Sequence, residues 1–303
     1  MNDSDNNCTS RRYNSTIQVY TLVVHVMVCV LGVTGNGLVI WFCSSKMEKT
    51  VNTMWILNLA IADFLFTFFL SLRITYLALG NQWPFGPFMC NLFWFLNNLN
   101  TGISVFQLMV ISIDRCVCVY FPVWCKNHRT IRLAKITVLL IWIISFVFNI
   151  PYFFFQSTCN DRGKLYCGLS HDKTFKWKVV VRLIVLIVIF TIIVLCYAAI
   201  AVQVKRKHIN LSSRPFKVFV AIIISFFICF FPYNIFLLLQ IFEHQIVLED
   251  IRTIKEIMRC LMTANSCINP ILYIFIGQGF KERFCTSIHT VLRKAFTENV
   301  ENI

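Results

Sequence analysis

With 303 residues, of which 57% are hydrophobic and only 14% charged, and a mean hydropathy of +0.69, the chain departs far from soluble domains, where charged residues make up about 25%. Water is therefore not its main solvent. Its formal net charge of +14 lies in short polar segments between apolar runs, a pattern that fits an anionic membrane surface and gives no support to a nucleic-acid partner.

Residues 1–18 are polar and hold three N-x-S/T sequons, at Asn2, Asn7 and Asn14, which reads as a glycosylated extracellular terminus. No cleavable signal peptide precedes the first apolar run, so that run is expected to act as its own insertion signal. A bilayer core about 30 Å thick needs roughly 20 largely apolar residues per helix. Seven such runs follow, near 19–43, 54–79, 88–121, 133–155, 179–204, 218–242 and 254–276. The predicted fold is an all-α bundle of seven transmembrane helices within a single domain, 19–276, joined by short loops that make consecutive helices antiparallel neighbours. The seventh run is the least apolar, because Lys255, Glu256 and Arg259 sit in its first turns, at spacings that let one helix face partly neutralise them. After Gly277, residues 278–296 place Phe280, Phe284, Ile288, Val291 and Leu292 on one helical face and Lys281, Arg283, Arg293 and Lys294 on the other. The segment 277–303 is thus read as an amphipathic helix on the inner membrane surface with a short cytoplasmic tail.

An outside amino terminus sends the strongly basic loops inward: Lys46 and Lys49, then Lys126 to Lys135, then Lys205 to Lys217, then the 277–303 segment. The expected location is the plasma membrane, with the amino terminus extracellular. A fourth sequon, at Asn210, then falls inside and stays unmodified. Most of the 14 cysteines lie within apolar helices and read as small hydrophobes. Cys8, Cys90, Cys159 and Cys167 are at or beyond the outer rim. A bridge from Cys90 to Cys167 would pin the loop before the fifth helix over the bundle mouth, and this pairing is favoured over Cys90 with Cys159.

Polar side chains inside a membrane are costly and need partners or a role. Asn36, Asp63, Asn100, Ser104, Asn265, Ser266 and Asn269 form such a set. Asp63 is open to two readings, a carboxylate holding a small cation among amide and hydroxyl oxygens, or a neutral acid in an interhelical hydrogen-bond network. At the end of the third helix, Asp114 beside Arg115 reads either as a surface pair or as a latch in which Arg115 is held by Asp114 in one state and released in another. Pro151, Pro232 and Pro270 each remove a helical hydrogen bond and create bends or hinges. No nucleophile, metal cluster or phosphate loop suggests an enzyme, and no internal repeat suggests a transporter.

These motifs in order resemble a rhodopsin-class G-protein-coupled receptor, and within that class the formyl-peptide and related chemoattractant receptors. The resemblance runs from about Leu31 to Phe284. It rests on Gly35-Asn36-Gly37-Leu38-Val39-Ile40-Trp41, on Leu57-Asn58-Leu59-Ala60-Ile61-Ala62-Asp63-Phe64, and on Trp83-Pro84-Phe85-Gly86 with Cys90. Asp114-Arg115-Cys116-Val117-Cys118-Val119, Pro122-Val123-Trp124 and Asn127-His128-Arg129-Thr130 are similar to the branch's third-helix end and second inner loop. Ser225-Phe226-Phe227-Ile228-Cys229 and Asn265-Ser266-Cys267-Ile268-Asn269-Pro270 resemble its sixth and seventh helices.

The resemblance implies a ligand-driven outward movement of the sixth helix that admits a G protein of the inhibitory class. Asp114, Arg115, Tyr197, Pro270 and Tyr273 are the implied switch residues. Asp63, Ser104, Asn265, Ser266 and Asn269 are the implied pocket for a structural sodium ion; no other cofactor is expected. The chain also departs from the pattern. Cys229-Phe230-Phe231-Pro232 carries a phenyl ring where the family has an indole, Ile189-Phe190 stands at the fifth-helix proline, and Ser71 stands at a second-helix proline. Formyl-peptide receptors have an acid in the third helix where this chain has Asn98, and two fifth-helix arginines four residues apart, a spacing that Lys178 and Arg182 keep. Phe93, Trp94 and Phe95 are expected to line an apolar mouth facing Lys178 and Arg182, suited to a short peptide with a free carboxylate or an acidic lipid. The rival reading is a diverged receptor-like chain with weak or lost signalling.

Overall fold

The computed structural model describes residues 15–154, 156–161, 164–169, 174–207, 214–242 and 248–276. In chain order the helices are α1 Ser15–Ser45, α2 Val51–Ala78, α3 Gly86–Tyr120, α4 Pro122–His128, α5 Ile131–Phe154, α6 Thr174–Lys207, α7 Arg214–Phe242 and α8 Leu248–Ile276. All but α4 correspond to the seven apolar runs. The shortest of the seven, α5, has 24 residues and is therefore roughly 36 Å long, enough to cross a bilayer core. Six of the seven are apolar enough to cross a membrane by composition, and α8 is the exception, as the charges in its first turns lead one to expect.

Local signals set several helix ends. Thr50 caps α2 by accepting a hydrogen bond from the Thr53 amide, and Pro87 and Pro122 occupy the first turns of α3 and α4, where no amide donor is needed. At the far end of α2, Gly80 and Asn81 both take left-handed conformations, which turns the chain back toward α3. Hydroxyl groups along the helices bond to the carbonyl one turn back, as Thr34, Thr75, Ser112 and Thr263 do at 2.6–3.0 Å, so hydrocarbon meets few unsatisfied donors.

Two features of the loops depart from the sequence reading. The segment before α6, expected as a plain loop, is an antiparallel hairpin of β1 Gln156–Asp161 and β2 Lys164–Leu169, pairing Gln156 with Leu169 and Asp161 with Lys164. Between α3 and α5 the chain forms the two-turn helix α4 in place of an irregular connection, because Pro122 opens a helix as readily as it ends one.

In the bundle α1 packs on α2 and α8, α8 on α7, and α3 on α2, α5 and α6. Close approach on the α1 side depends on glycine. A Cβ at Gly32 would stand 2.4 Å from Thr67 Cγ2 of α2, and one at Gly35 would stand 3.0 Å from Pro270 of α8. The largest core cluster runs from Phe42 and Trp55 through Leu108 and Ile111 to Phe219, Phe226, Phe230 and Tyr273. The outward faces are apolar as well. On α5, Leu139, Ile143, Phe146 and Val147 are all about half exposed or more, a surface that hydrocarbon covers and water does not.

Consecutive helices alternate in direction, so the bundle has two chemically distinct ends. One carries the hairpin, tied to the bundle by the bridge Cys90–Cys167 and by the Trp83 amide donating to Leu165 O at 2.8 Å. The other carries α4. The favoured cysteine pairing is thus the one present. A second bridge, Cys118–Cys125, joins α3 to α4 and corrects the reading of Cys118, within the third apolar run, as a small hydrophobe. The sequons at Asn2, Asn7, Asn14 and Asn210 and the whole 277–303 segment lie outside the described residues.

Candidate functional site

The polar set inside the bundle converges on one point between α1, α2, α3 and α8. Asn269 Nδ2 donates to Asp63 Oδ2 at 2.7 Å, and Asn100 Nδ2 donates to Asp63 Oδ1 at 3.3 Å and to Ser266 Oγ at 3.1 Å. Asn36 Nδ2 reaches the carbonyl oxygens of Gly32 and Ser266, each at 2.9 Å. All of these side chains are buried, Asp63 completely. Around them Ser104 Oγ, Asn265 Oδ1 and Asn269 Oδ1 make no hydrogen bond among the described residues. A carboxylate with buried, unspent oxygens close by is the donor set a hard cation takes, so Asp63, Ser104, Asn265, Ser266 and Asn269 fit a sodium ion.

A second network went unnoticed in the sequence. Asn58 of α2 hydrogen-bonds Gln107 of α3, Trp142 Nε1 of α5 donates to Asn58 Oδ1 at 2.6 Å, and Gln107 Nε2 donates to Trp55 O at 2.7 Å. Of these residues the sequence reading quoted only Asn58, within the second-helix motif, and only the meeting of three helices gives them partners.

At the hairpin end the aromatic trio divides. Phe93 and Trp94 meet edge to face, and Phe93 leans on Trp83 beneath the hairpin. Phe95 points elsewhere, onto Phe146 and Phe153 of α5, because successive helical residues are turned by about 100°. The expectation that all three line one mouth is corrected for Phe95. Arg182 of α6 donates to Asn98 Oδ1 of α3 at 3.1 Å, which brings together two predicted site residues, while its Nη2 is buried with no hydrogen-bond partner among the described residues. Beside them lies a cavity of about 40 Å³, also lined by Thr101, Gly102 and Asn149. The side chain of Lys178 lies outside the described residues.

Near the same end, two buried cations share one acid. Arg259 Nη1 donates to Glu256 Oε1 at 2.8 Å within α8, and Arg73 Nη2 of α2 stands 3.6 Å from Glu256 Oε2. The Arg259 guanidinium also lies 5.5 Å over the Trp94 ring, and that of Arg73 lies 4.9 Å over Tyr76. The α8 charges thus neutralise one another only in part. Sequence spacing exposed the Glu256–Arg259 pair, whereas Arg73 belongs to another helix.

At the α4 end the latch has a different closest partner from the one expected. Arg129, just beyond α4, holds Asp114 with two bonds, Nε to Oδ1 at 2.8 Å and Nη2 to Oδ2 at 3.0 Å, while Arg115 stays 3.6 Å from Asp114. Adjacent residues diverge around a helix, so the more distant Arg129 has the better approach. Arg115 instead hydrogen-bonds Asn52 of α2 and lies 4.7 Å over the Phe219 ring of α7. Asn52 Oδ1 also accepts from Arg129 at 2.6 Å, which makes it a shared anchor that the sequence did not reveal. Tyr197 lies beside Ser112, close enough to Arg115 to interact with it electrostatically. Tyr273 is buried in the main core, and Phe230 is stacked on Phe226 with ring centroids 4.0 Å apart.

Seven long helices, a hairpin bridged over one end and the Asp114, Arg115 and Arg129 cluster at the other define a seven-helix membrane receptor. The chain belongs to the 7 transmembrane receptor (rhodopsin) family, whose profile matches residues 35–273. It is 38% identical over 306 residues to human N-formyl peptide receptor 3, covering 94% of this chain and 87% of that one. The Pongo pygmaeus N-formyl peptide receptor 3 is 36% identical, over 98% and 91% of the two chains. Human chemerin-like receptor 1 is 38% identical, over 93% and 81%. The chain is a G-protein-coupled receptor of the chemoattractant type, a multi-pass plasma-membrane protein, and like its relatives a receptor and not an enzyme.

Proposed function

We propose that this receptor binds an anionic amphipathic ligand at the hairpin end, which faces outside with the amino terminus, and activates an inhibitory-class G protein at the α4 end, which faces the cytoplasm. The observation that carries the ligand class is the set of buried cations: among the described residues Arg73 and Arg259 share Glu256, and Arg182 stands beside an amide, Asn98. Trp94 and Phe93 provide apolar surface for the rest of the ligand, which fits a short peptide with a free carboxylate or a fatty-acid-like mediator. The names of its relatives point to formyl peptides and to chemerin, so a peptide is the first member of that class to try.

The test is a panel of peptides with free and amidated carboxyl ends, together with acidic and neutral lipids, applied to cells expressing the receptor or Arg182→Glu. Charge reversal is expected to weaken anionic agonists at least tenfold, about 1.4 kcal/mol, with surface expression maintained. Equal losses for anionic, neutral and cationic agonists would overturn the ligand class. A specific observation favours a second reading, a chain with weak or lost signalling: Phe230 lies flat on Phe226 where the family has an indole. Silence toward the whole panel by a receptor that reaches the surface would favour it.

Sodium at Asp63 would stabilise the resting bundle by joining α2, α3 and α8 through one charge. Replacing sodium by a bulky organic cation at constant ionic strength is expected to lower the thermal stability of the receptor, and Asp63→Asn is expected to remove that difference. An unchanged sodium response in the variant would place the ion elsewhere.

A further inference from the structure

The bridge between Cys118 and Cys125 takes no part in the function proposed above. It spans seven residues and joins the last turns of α3 to the middle of α4, with the two Cα atoms 5.2 Å apart. If the α4 end faces the cytoplasm, as in the reading on which this inference rests, the bridge stands in a compartment that keeps thiols reduced, where disulfides are redox-sensing or catalytic. We propose that Cys118 and Cys125 are a reversible thiol–disulfide site, closed by a small peroxide and opened by a cellular dithiol, that clamps α4 to α3 beside the G-protein face.

The surroundings fit that chemistry. Under the bridge lies a cavity of about 200 Å³, lined by both cysteines together with Asp114, Trp124 and Arg129. One water occupies about 30 Å³, so a molecule the size of hydrogen peroxide enters this space. Cys118 is partly exposed and Cys125 is buried. The Cys118 thiolate therefore meets the peroxide first and attacks one oxygen, giving a sulfenic acid and, with a proton, one water. The Cys125 thiol then attacks the sulfenic sulfur, the S–S bond forms, and the displaced hydroxide leaves with the thiol proton as a second water. Reduction runs through a mixed disulfide with one thiol of the dithiol reductant, and its second thiol resolves that bond while Cys118 and Cys125 regain their protons.

The consequence follows from the size of α4. A helix of two turns is marginal by itself: the Cys125 amide to Phe121 O at 2.9 Å and the Arg129 amide to Cys125 O at 3.0 Å are bonds of its own ladder and do not tie it to α3. Arg129 follows it directly and grips Asp114 and Asn52, the neighbours of Arg115. Closing the bridge holds Arg129 in that grip, and opening it lets α4 and Arg129 move.

The full-length receptor in intact cells tests this. Free thiols are trapped by alkylation before and after brief hydrogen peroxide, and again after dithiothreitol, and the cysteine peptides are mapped by mass. The linked Cys118–Cys125 peptide is expected to rise with peroxide and vanish with dithiothreitol while Cys90–Cys167 persists. Hydrogen exchange in α4 of the purified receptor is expected to quicken roughly tenfold on reduction, and Cys125→Ser and Cys118→Ser are each expected to match the reduced state under both conditions. An epitope on the amino terminus, stained on unpermeabilised cells, checks the orientation separately. If the epitope is hidden, the orientation is wrong. With the epitope outside, a Cys118–Cys125 pair that never links, that resists dithiothreitol, or that leaves α4 exchange unchanged would overturn the proposal.

Discussion

Arg115→Ala is expected to abolish G-protein activation while the receptor still reaches the cell surface. The Arg115 side chain is largely covered, but most of its contacts are polar and it is not one of the apolar side chains that build the core. It touches Asn52 of α2, Asp114 of its own helix and the Phe219 ring of α7, so it couples three elements at the end where the G protein is proposed to dock. Moving α7 outward removes the Phe219 face and leaves the guanidinium available to a partner. Truncation removes that ligand for the partner, and hydrogen bonds to charged groups are worth about 1.5–3 kcal/mol each. The companion variant Arg129→Ala separates two versions of the latch. Because Arg129 makes the close bidentate contact with Asp114, its loss is expected to raise ligand-independent activity, whereas a latch made mainly by Asp114 and Arg115 would leave that activity unchanged. Nucleotide exchange on an inhibitory-class G protein, measured beside surface staining, reads both variants. Normal exchange by Arg115→Ala would remove Arg115 from the switch.

Glu256→Gln is expected to lower the apparent melting temperature of the receptor by several degrees, on the order of 3 kcal/mol, the larger of the two stability effects the charged groups allow. Both arginine side chains are less than one-tenth exposed, 6% for Arg73 and 9% for Arg259. Without the carboxylate, two buried cations lose the acid they share, and burial of an unpaired charge costs far more than an ion pair contributes. The double variant Glu256→Gln with Arg73→Met returns the cluster to one net positive charge, as before, and is expected to recover a large part of the loss. If the double variant is no more stable than Glu256→Gln alone, the charge imbalance is not the cause. The same cluster links stability to recognition, since an anionic ligand head placed near Arg73 or Arg259 would supply a second negative charge and is expected to raise the melting temperature of the single variant more than that of the native receptor.

Much of this molecule was legible in the sequence because hydrocarbon imposes a one-dimensional rule. Every backbone donor must be satisfied within its own segment, so a run of about 20 apolar residues is a helix whatever its neighbours are, and seven runs are seven helices. The same rule marks Asp63, Asn100, Ser266 and Asn269 as partners before any contact is seen, because isolated polar groups are too costly in a bilayer. The pairing of Cys90 with Cys167, favoured over Cys90 with Cys159, rested on Cys90 at the start of the third run and Cys167 in the loop before the fifth, and it is the one present.

Contacts between charged groups at the helix ends followed a different logic. Near the ends several partners compete within reach, and the winner depends on helix rotation by tens of degrees, a quantity no sequence pattern reports. Thus Arg129 took the place expected of Arg115 beside Asp114, Asn52 became the anchor of both, Arg73 joined Glu256 from another helix, and Phe95 turned away from Phe93 and Trp94. Cys118 and Cys125 show the same limit over seven residues: read along the chain one lies in an apolar run and the other in the loop after it, and only the fold of Pro122 into a helix brings their sulfurs together. Hydropathy determined which segments cross the membrane, and the packing of those segments decided which charges meet.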